Sequence, residues 1–498
     1  MTEQQSSYRQ IFKSTSLYGG VQVITILVSI VRTKFVAVLL GTTGVGILGL
    51  FNAPLGLIAS ITGLGISYSA IRDISEANGS GDEQRLARTI TTFRRWVLFT
   101  GFLGMLVTIL LSPWLSKWTF GNSNYIGVFI WLSVTLLLND ICAGQKALLQ
   151  GMRKLQSMAK ATVIGSVMGL FASIPLYYIY GVKGIVPALI VSAIVALLLS
   201  WYFAKKVPVA TVMITYKASF YEGMTMIKLG IILSISAQIG ALVSYLLNSF
   251  ISRTGGIEQV GLYSAGMGLT GTSVGLVFTA MGMDYYPKLA AMSKDNKAVR
   301  SMVNQQSIMS VLIILPIVLC LLTTMPIIIR LFLSKAFIEV TPFVNLTVLG
   351  VMVKAVSYPI GYISFAKGDS KVFFWLEGII SNILNLMLSL FFYKVWGLIG
   401  IGVAFIVLYT LYLLIVYNVA KKRYEFSFEK ELYIVLSVSI FLSILAYLSL
   451  TFLSSYLLYF VLLMLIIIAS AYSFIELNKR INIKPVLMSY LNKFRLKK

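Results

Sequence analysis

Long apolar runs alternate along the chain with short polar segments rich in Lys and Arg. A helix crossing a bilayer needs about 20 mostly apolar residues. Runs of that length recur at roughly 16–40, 45–71, 96–116, 126–150, 160–180, 184–204, 229–251, 261–286, 306–329, 341–366, 373–393, 397–420, 432–453 and 456–476. The pattern predicts an all-α polytopic membrane protein with 14 transmembrane helices. The longest connection is about 24 residues, too short for a soluble domain. The first run is expected to be a span and not a cleaved signal, because its apolar stretch is long and no small-residue cleavage site follows.

Composition agrees with this reading. Of 498 residues, 58% are hydrophobic and 12% charged, with a mean hydropathy of +0.87. Soluble domains carry about 25% charged residues. The net charge of +24 is unevenly placed. With a cytoplasmic N-terminus, 32 Lys and Arg fall on cytoplasmic segments and six on the opposite loops (Lys117, Lys183, Arg253, Arg330, Lys335 and Lys394). That asymmetry puts both termini in the cytoplasm. The basic tail (Lys479, Arg480, Lys484, Lys493, Arg495, Lys497 and Lys498) suits anionic lipid as well as topology. The charge is spread over eight short segments, which argues against a nucleic-acid partner. The chain has no histidine, and Cys142 and Cys320 lie in separate apolar runs, so neither a metal cluster nor a disulfide framework is expected. No Gly-Lys-Ser/Thr phosphate loop occurs, and no cofactor is expected.

The chain repeats itself. Residues 27–57 align with 242–272 at eight identities in 31 positions, including Gly41 with Gly256 and Val45-Gly46 with Val260-Gly261. Residues 181–206 align with 397–422 at 11 identities in 26, including Gly181 with Gly397 and Gly184 with Gly400. A unit of six spans starts each copy on the same side, so the halves are expected to be two parallel six-helix lobes about an axis along the membrane normal, as in rocking transporters. The expected organisation is an N-terminal lobe (1–206), a cytoplasmic linker (207–228), a C-terminal lobe (229–422), and a helix pair with the basic tail (423–498).

This architecture resembles the polysaccharide flippases of the multidrug/oligosaccharidyl-lipid/polysaccharide exporter superfamily. The first 75 residues look most like Wzx-type O-antigen translocases: Lys34 lies seven positions before Gly41, which opens the turn Gly41-Thr42-Thr43-Gly44-Val45-Gly46. The segment Gln150-Gly151-Met152-Arg153 also looks like that family. The resemblance implies a monomeric bacterial inner-membrane flippase that carries a polyprenyl-diphosphate-linked oligosaccharide, such as an O-antigen repeat unit for lipopolysaccharide, to the outer leaflet. It implies membrane lipids and the glycan polymerase machinery as further partners.

Ionisable groups at membrane depth cost about 2.5–3.5 kcal/mol each on insertion scales, which marks them as functional candidates. Lys354 lies near the middle of its span, roughly 18 Å from either end. Its helical face continues through Thr347, Gly350, Ser357, Tyr358 and Gly361. Arg32 and Lys34 point to opposite sides of their helix. Arg32 continues the polar stripe Tyr18, Gln22, Thr25 and Ser29, whereas Lys34 continues the apolar stripe Val23, Leu27, Ile30 and Val38. Periodicity therefore favours Arg32 for a cavity, and the resemblance favours Lys34. The repeat places Leu247 and Ser249 at these positions, so the basic pair belongs to the first half only. Asp140 is the carboxylate at depth, an ion-coupling residue or a counter-ion to a cavity base. Glu377 reads as a carboxylate at a helix N-terminus, and Asp284, beside Tyr285, Tyr286 and Pro287, as interfacial. The ridges Asn52, Gly56, Ser60, Gly63, Ser67 and Gly261, Ser264, Gly268, Gly271, Gly275, Thr279, Gly282 read as packing surfaces.

Two rivals remain open at this point. A multidrug exporter of organic cations would want an acidic cleft, against the basic inventory here. A membrane glycan polymerase or acyltransferase would want catalytic residues on sizeable loops, which are absent from this sequence.

Overall fold

The computed structural model describes residues 3–481 apart from 211 and 454, with side chains from Gly20 onward except at 232, 233, 272, 273, 276, 280–284, 287, 455 and 481. Lys484, Lys493, Arg495, Lys497 and Lys498 of the basic tail, and the side chains of Tyr18 and Asp284, lie outside the described residues.

Every described element is helical. They run α1 (Glu3–Leu39), α2 (Gly41–Thr62), α3 (Ile66–Gly79), α4 (Glu83–Phe120), α5 (Ile126–Gly151), α6 (Leu155–Tyr180), α7 (Ile185–Lys205), α8 (Tyr216–Gly255), α9 (Ile257–Ala291), α10 (Asn296–Phe332), α11 (Thr341–Ala366), α12 (Ser370–Phe373), α13 (Ser381–Tyr424), α14 (Lys430–Phe452) and α15 (Ser455–Ile481). Among the described residues, 11 stretches are long and apolar enough to cross a membrane. Two of these are too long for one crossing, and each is interrupted: Leu155–Lys205 (51 residues) by the turn Gly181–Gly184, and Ser370–Tyr424 (55 residues) at Trp396 and Gly397.

Local chemistry sets several boundaries. The Asp82 carboxylate accepts the N–H groups of Gln84 (2.9 Å) and Arg85 (3.0 Å) and so caps the start of α4. Gly121, at φ 76°, ends it. The Thr215 hydroxyl caps α8 by accepting the Ala218 N–H at 3.3 Å, so helix begins inside the expected linker. The run expected as one span at 45–71 is instead broken. Helix α2 stops at Thr62, and Leu64 and Gly65 take φ values of 50° and 62° before α3 begins. The physical reason is a backbone contact: a Cβ on Gly65 would strike the Gly230 carbonyl of α8. Helix α3 then buries Ile66, Ala70 and Ile74 with Phe93, Trp96, Leu149 and Ile227.

The chain separates into two compact units, residues 1–264 with 332–336, and residues 265–331 with 337–498. Within the first unit α8 packs on α2, α3 and α4, α5 packs on α3, α4 and α7, and α6 packs on α7 and α1. Within the second, α11 and α13 form the largest contact. Outside the membrane spans, Asp369 ties the end of α11 to the end of α13. Its carboxylate accepts from Arg423 Nε (2.7 Å) and the Tyr424 hydroxyl (3.1 Å). Burial pushes this carboxyl up, but these bonds, the Val372 N–H and the Arg423 charge hold it below the usual carboxylate range.

The sequence repeat has a structural counterpart inside the first unit. A Cβ on Gly46 would strike the Ile257 carbonyl, and one on Gly261 would strike the Thr42 carbonyl. Thr42 and Gly46 are the repeat partners of Ile257 and Gly261, so the two contacts are reciprocal. The Thr43 hydroxyl donates to its own repeat partner, Glu258, at 3.3 Å. The backbone repeats too: Gly181 has φ 55° and ψ −134°, and Gly397 has φ 60° and ψ −139°. Only glycine adopts that region freely.

Close backbone crossing without side chains is how apolar helices associate where lipid removes the hydrophobic drive. Gly46→Ala should therefore lower the thermal unfolding temperature in detergent well below that of Gly127→Ala, whose Cβ meets nothing within 4 Å. Equal melting of the two variants would show that the crossing is loose.

Candidate functional site

The first unit encloses a cavity of about 400 Å³ built from five helices. Helix α1 contributes Arg32, α2 contributes Asn52 and Gly56, and α5 contributes Thr135, Asn139 and Lys146. Helix α6 adds Thr162, Ser166 and Gly169, and α7 adds Ser192. Small residues on α6 and α7 keep their helices close while leaving this space open. Arg32 Nη2 donates to Ser192 Oγ at 3.2 Å, and Ser192 Oγ lies 2.8 Å from Ser173 Oγ. This hydroxyl pair orients the guanidinium without neutralising it. Among the described residues, neither Arg32 nor Lys146 has an ion-pair partner.

A second cavity of about 180 Å³ adjoins the first, sharing Ala59, Leu136 and Asn139. It is lined by Asp140, whose Oδ2 accepts the Thr100 hydroxyl at 2.5 Å. Gly101 and Gly104 of α4 also line this space, and a Cβ on Gly101 would lie 3.4 Å from Asp140 Cβ. Asp140 therefore has one neutral hydrogen-bond partner and no base in contact among the described residues.

Lys34 lies elsewhere. Its Nζ donates to the Leu333 carbonyl at 2.6 Å, and it lines neither cavity. Gln22, Thr25 and Ser29, expected as cavity lining, do not line either of these cavities. Thr25 donates to the Val21 carbonyl of its own helix at 2.8 Å.

Lys354 belongs to the second unit, where aromatic groups hold it. Its Nζ stands 5.2 Å from the ring centroids of both Phe278 and Tyr409. Such cation–π contacts strengthen as water is removed. The Tyr358 hydroxyl donates to the Phe278 carbonyl at 3.1 Å and pairs with the Tyr362 hydroxyl at 3.1 Å. Glu377 joins this cluster: its carboxylate accepts the Tyr412 hydroxyl and lies within electrostatic range of Lys354. It sits in a π-helical stretch, Phe374–Ile380, a distortion found often at functional sites. Gly361 leaves the room, since a Cβ there would crowd Glu377 Oε1.

Sequence reasoning read three of these features differently. Glu377 is expected at a helix N-terminus and is instead a partner of Tyr412. Asn52 and Gly56 are expected as packing ridge and instead face the cavity. Lys146 is counted with the cytoplasmic bases, yet lies inside α5 on the cavity wall. Its spacing from Thr135 and Asn139, 11 and seven residues, is the helical signal that could have found it.

The described residues of the first unit thus place a polar, basic cavity among helices of membrane length. Comparison with solved structures gives the fold class. An inward-facing multidrug resistance MATE transporter of the MOP superfamily superposes with a TM-score of 0.70 at 16% identity, covering 80% of this chain and 94% of that one. The lipid II flippase MurJ, inward closed, superposes with a TM-score of 0.64 at 16% identity, covering 94% and 99%. The fold is that of the MOP-superfamily transporters, and the protein is a multi-pass membrane protein. A family model described as polysaccharide biosynthesis protein matches residues 35–342, and the chain belongs to that family. The lipid III flippase of Escherichia coli strain K12 is a distant relative, 21% identical over 393 residues, or 76% of this chain and 90% of that protein.

The aromatic cluster yields a stability prediction. Tyr412→Phe removes the donor to Glu377 and should cost about 1–3 kcal/mol, as for any buried acceptor left unpaired. A thermal melt in detergent measures it, and an unchanged melt would mean that Glu377 finds another partner.

Proposed function

We propose that the protein is a flippase that moves a polyprenyl-diphosphate-linked oligosaccharide, an O-antigen-like repeat unit, from the cytoplasmic to the outer leaflet of the bacterial inner membrane. The observation that carries the reading is Arg32: a guanidinium in a polar cavity among apolar helices, held by a hydroxyl and by no carboxylate among the described residues. A permanent cation at that depth is tolerable when an anion compensates it for part of the cycle, and a diphosphate supplies one. The uncharged cavity wall offers Asn, Ser and Thr groups to sugars. Family membership and the kinship to a lipid III flippase support the same reading.

The architecture proposed with it has fourteen spans. Dividing the two interrupted stretches and adding Ile257–Ala291 to the other crossing-length helices is consistent with that number. The two lobes are 1–206 and 229–422, with the linker 207–228 between them and the pair 423–498 after them, and both termini are cytoplasmic. Alternating access would carry the head group, with Arg32 and Lys354 compensating its charge. Lys34 serves as a secondary base. Lipid surrounds the monomer, and polymerase machinery consumes the product. Coupling to an ion would run through Asp140.

A multidrug exporter is the second reading, favoured by the likeness to the MATE fold. A cationic drug would meet two like charges in this cavity, which weighs against it.

In a flippase-deficient strain, Arg32→Ala and Lys354→Ala at matched protein levels should each abolish surface glycan, with lipid-linked units accumulating inside. Arg32→Lys should retain part of the activity, since it keeps the charge and loses the planar fork. Normal surface glycan from both alanine variants would refute the assignment. Asp140→Asn should slow transport and flatten its pH dependence, and an unchanged profile would remove Asp140 from coupling.

A further inference from the structure

The cavity of the first unit runs along its helices and does not sit at one level. Arg32 lies seven residues before the end of α1, and its partner Ser192 lies seven residues after the start of α7. At about 1.5 Å per residue, both sit roughly 10 Å from the end of the unit where α1 meets α2. The Cys142 thiol of α5 donates to the Ala196 carbonyl of α7 at 3.5 Å, which puts these two residues at one level, and Lys146 lies one turn beyond Cys142 toward the end of α5. Thr162, seven residues into α6 from the opposite end, shares the level of Lys146. Asn52, Thr135, Asn139 and Ser166 complete the wall. Ser192, and with it the Arg32 guanidinium, lies one turn of α7 on the other side of Ala196, so the two bases stand about 12 Å apart along the helices, at the two ends of this wall.

The topological role of a lysine near the end of a helix is to reach out to the interface. Lys146 instead contributes to the cavity wall, and none of its neighbours among the described residues is a carboxylate in ion-pair contact. It is also about half-way between exposed and buried, as a side chain open to an internal space would be. An uncompensated ammonium facing a cavity is a resting anion site.

We infer that Lys146 is a separate loading base for the diphosphate head group, at the end of the cavity where α5 turns into α6, and that Arg32 is the station at the far end. This rests on the flippase reading and deepens it. With both termini cytoplasmic, the Lys146 end faces the cytoplasm, where the lipid-linked unit is made. A head group entering there exchanges interfacial water for one ammonium, crosses the Asn and Thr wall, and is met by the guanidinium. Two stations lower the barrier more than one deep site, because a single strong site would hold the anion and slow its release.

The arrangement predicts a split between the two bases in transport kinetics. The test uses the purified full-length protein in lipid vesicles and a short polyprenyl diphosphate carrying one sugar as the transported probe. Lys146→Gln should raise the half-saturating amount of probe about 10-fold with little change in maximal rate, the mark of lost substrate binding. Arg32→Ala should lower the maximal rate. Lys146→Arg should restore saturation, and so should Lys146→Cys after aminoethylation, in a chain whose Cys142 and Cys320 are replaced by Ser. Higher salt should erase the difference between wild type and Lys146→Gln, because the lost term is electrostatic. If wild type moves the probe and Lys146→Gln saturates like wild type, the loading role is overturned and the flippase reading stands. If Lys146→Gln fails to fold, the Cys variant before and after aminoethylation makes the same comparison. If wild type moves no probe while an uncharged polyprenyl glycoside crosses, both readings fall.

Discussion

In hydrocarbon, a backbone N–H or C=O without a partner costs several kcal/mol, and a charge without a partner costs more. Both demands shape this protein. The first makes every described element a helix, and at the break after Thr62 backbone meets backbone, Gly65 against Gly230. The second sorts the bases by their surroundings. Lys354 stands 5.2 Å from the ring centroids of both Phe278 and Tyr409, so π faces answer part of its charge within the protein. Arg32 is answered only by a hydroxyl, and Lys146 by no carboxylate in contact among the described residues. The difference between an internally compensated base and an open one separates the aromatic cluster from the cavity.

That separation bears on mechanism. A wrapped lysine can act by being unwrapped, when a moving helix takes its rings away or a ligand anion competes with Glu377. On the flippase reading proposed above, an open arginine would act simply by being there when the anion arrives. The π-helical stretch at Phe374–Ile380 places Glu377 beside an aromatic network that includes Tyr358, Tyr362 and Tyr412, and such a network has few alternative arrangements. The first unit, by contrast, keeps its charge in space that small residues hold open.

Much of this was legible in the sequence. Apolar length pointed to helices of membrane length because the bilayer fixes that length, and 11 crossing-length stretches stand among the described residues. The glycine repeat was legible because close backbone crossings, as at Gly46 and Gly261, and the φ/ψ region of Gly181 and Gly397 strongly favour glycine. Helical periodicity separated Arg32 from Lys34, and the structure puts Arg32 on a cavity wall and Lys34 against the Leu333 carbonyl. Three features were hidden for a common reason: they depend on a partner distant in sequence. The break after Thr62 needs Gly230, the setting of Glu377 needs Tyr412 from 35 residues away, and the openness of Lys146 needs α6 and α7. Lys146 was further concealed by the charge asymmetry, since a base near a helix end is counted with the loop.

The central claim is that the head group is recognised by its negative charge. The measurement that tests it most directly compares two lipids in vesicles holding the purified protein: a sugar joined to a polyprenyl chain through a diphosphate, and the same sugar joined by an uncharged glycosidic link. The account predicts that the diphosphate lipid changes leaflet much faster than in protein-free vesicles, while the uncharged lipid moves no faster than it does without protein. Equal acceleration of both lipids would contradict it, because the bases would then contribute nothing to choosing the cargo.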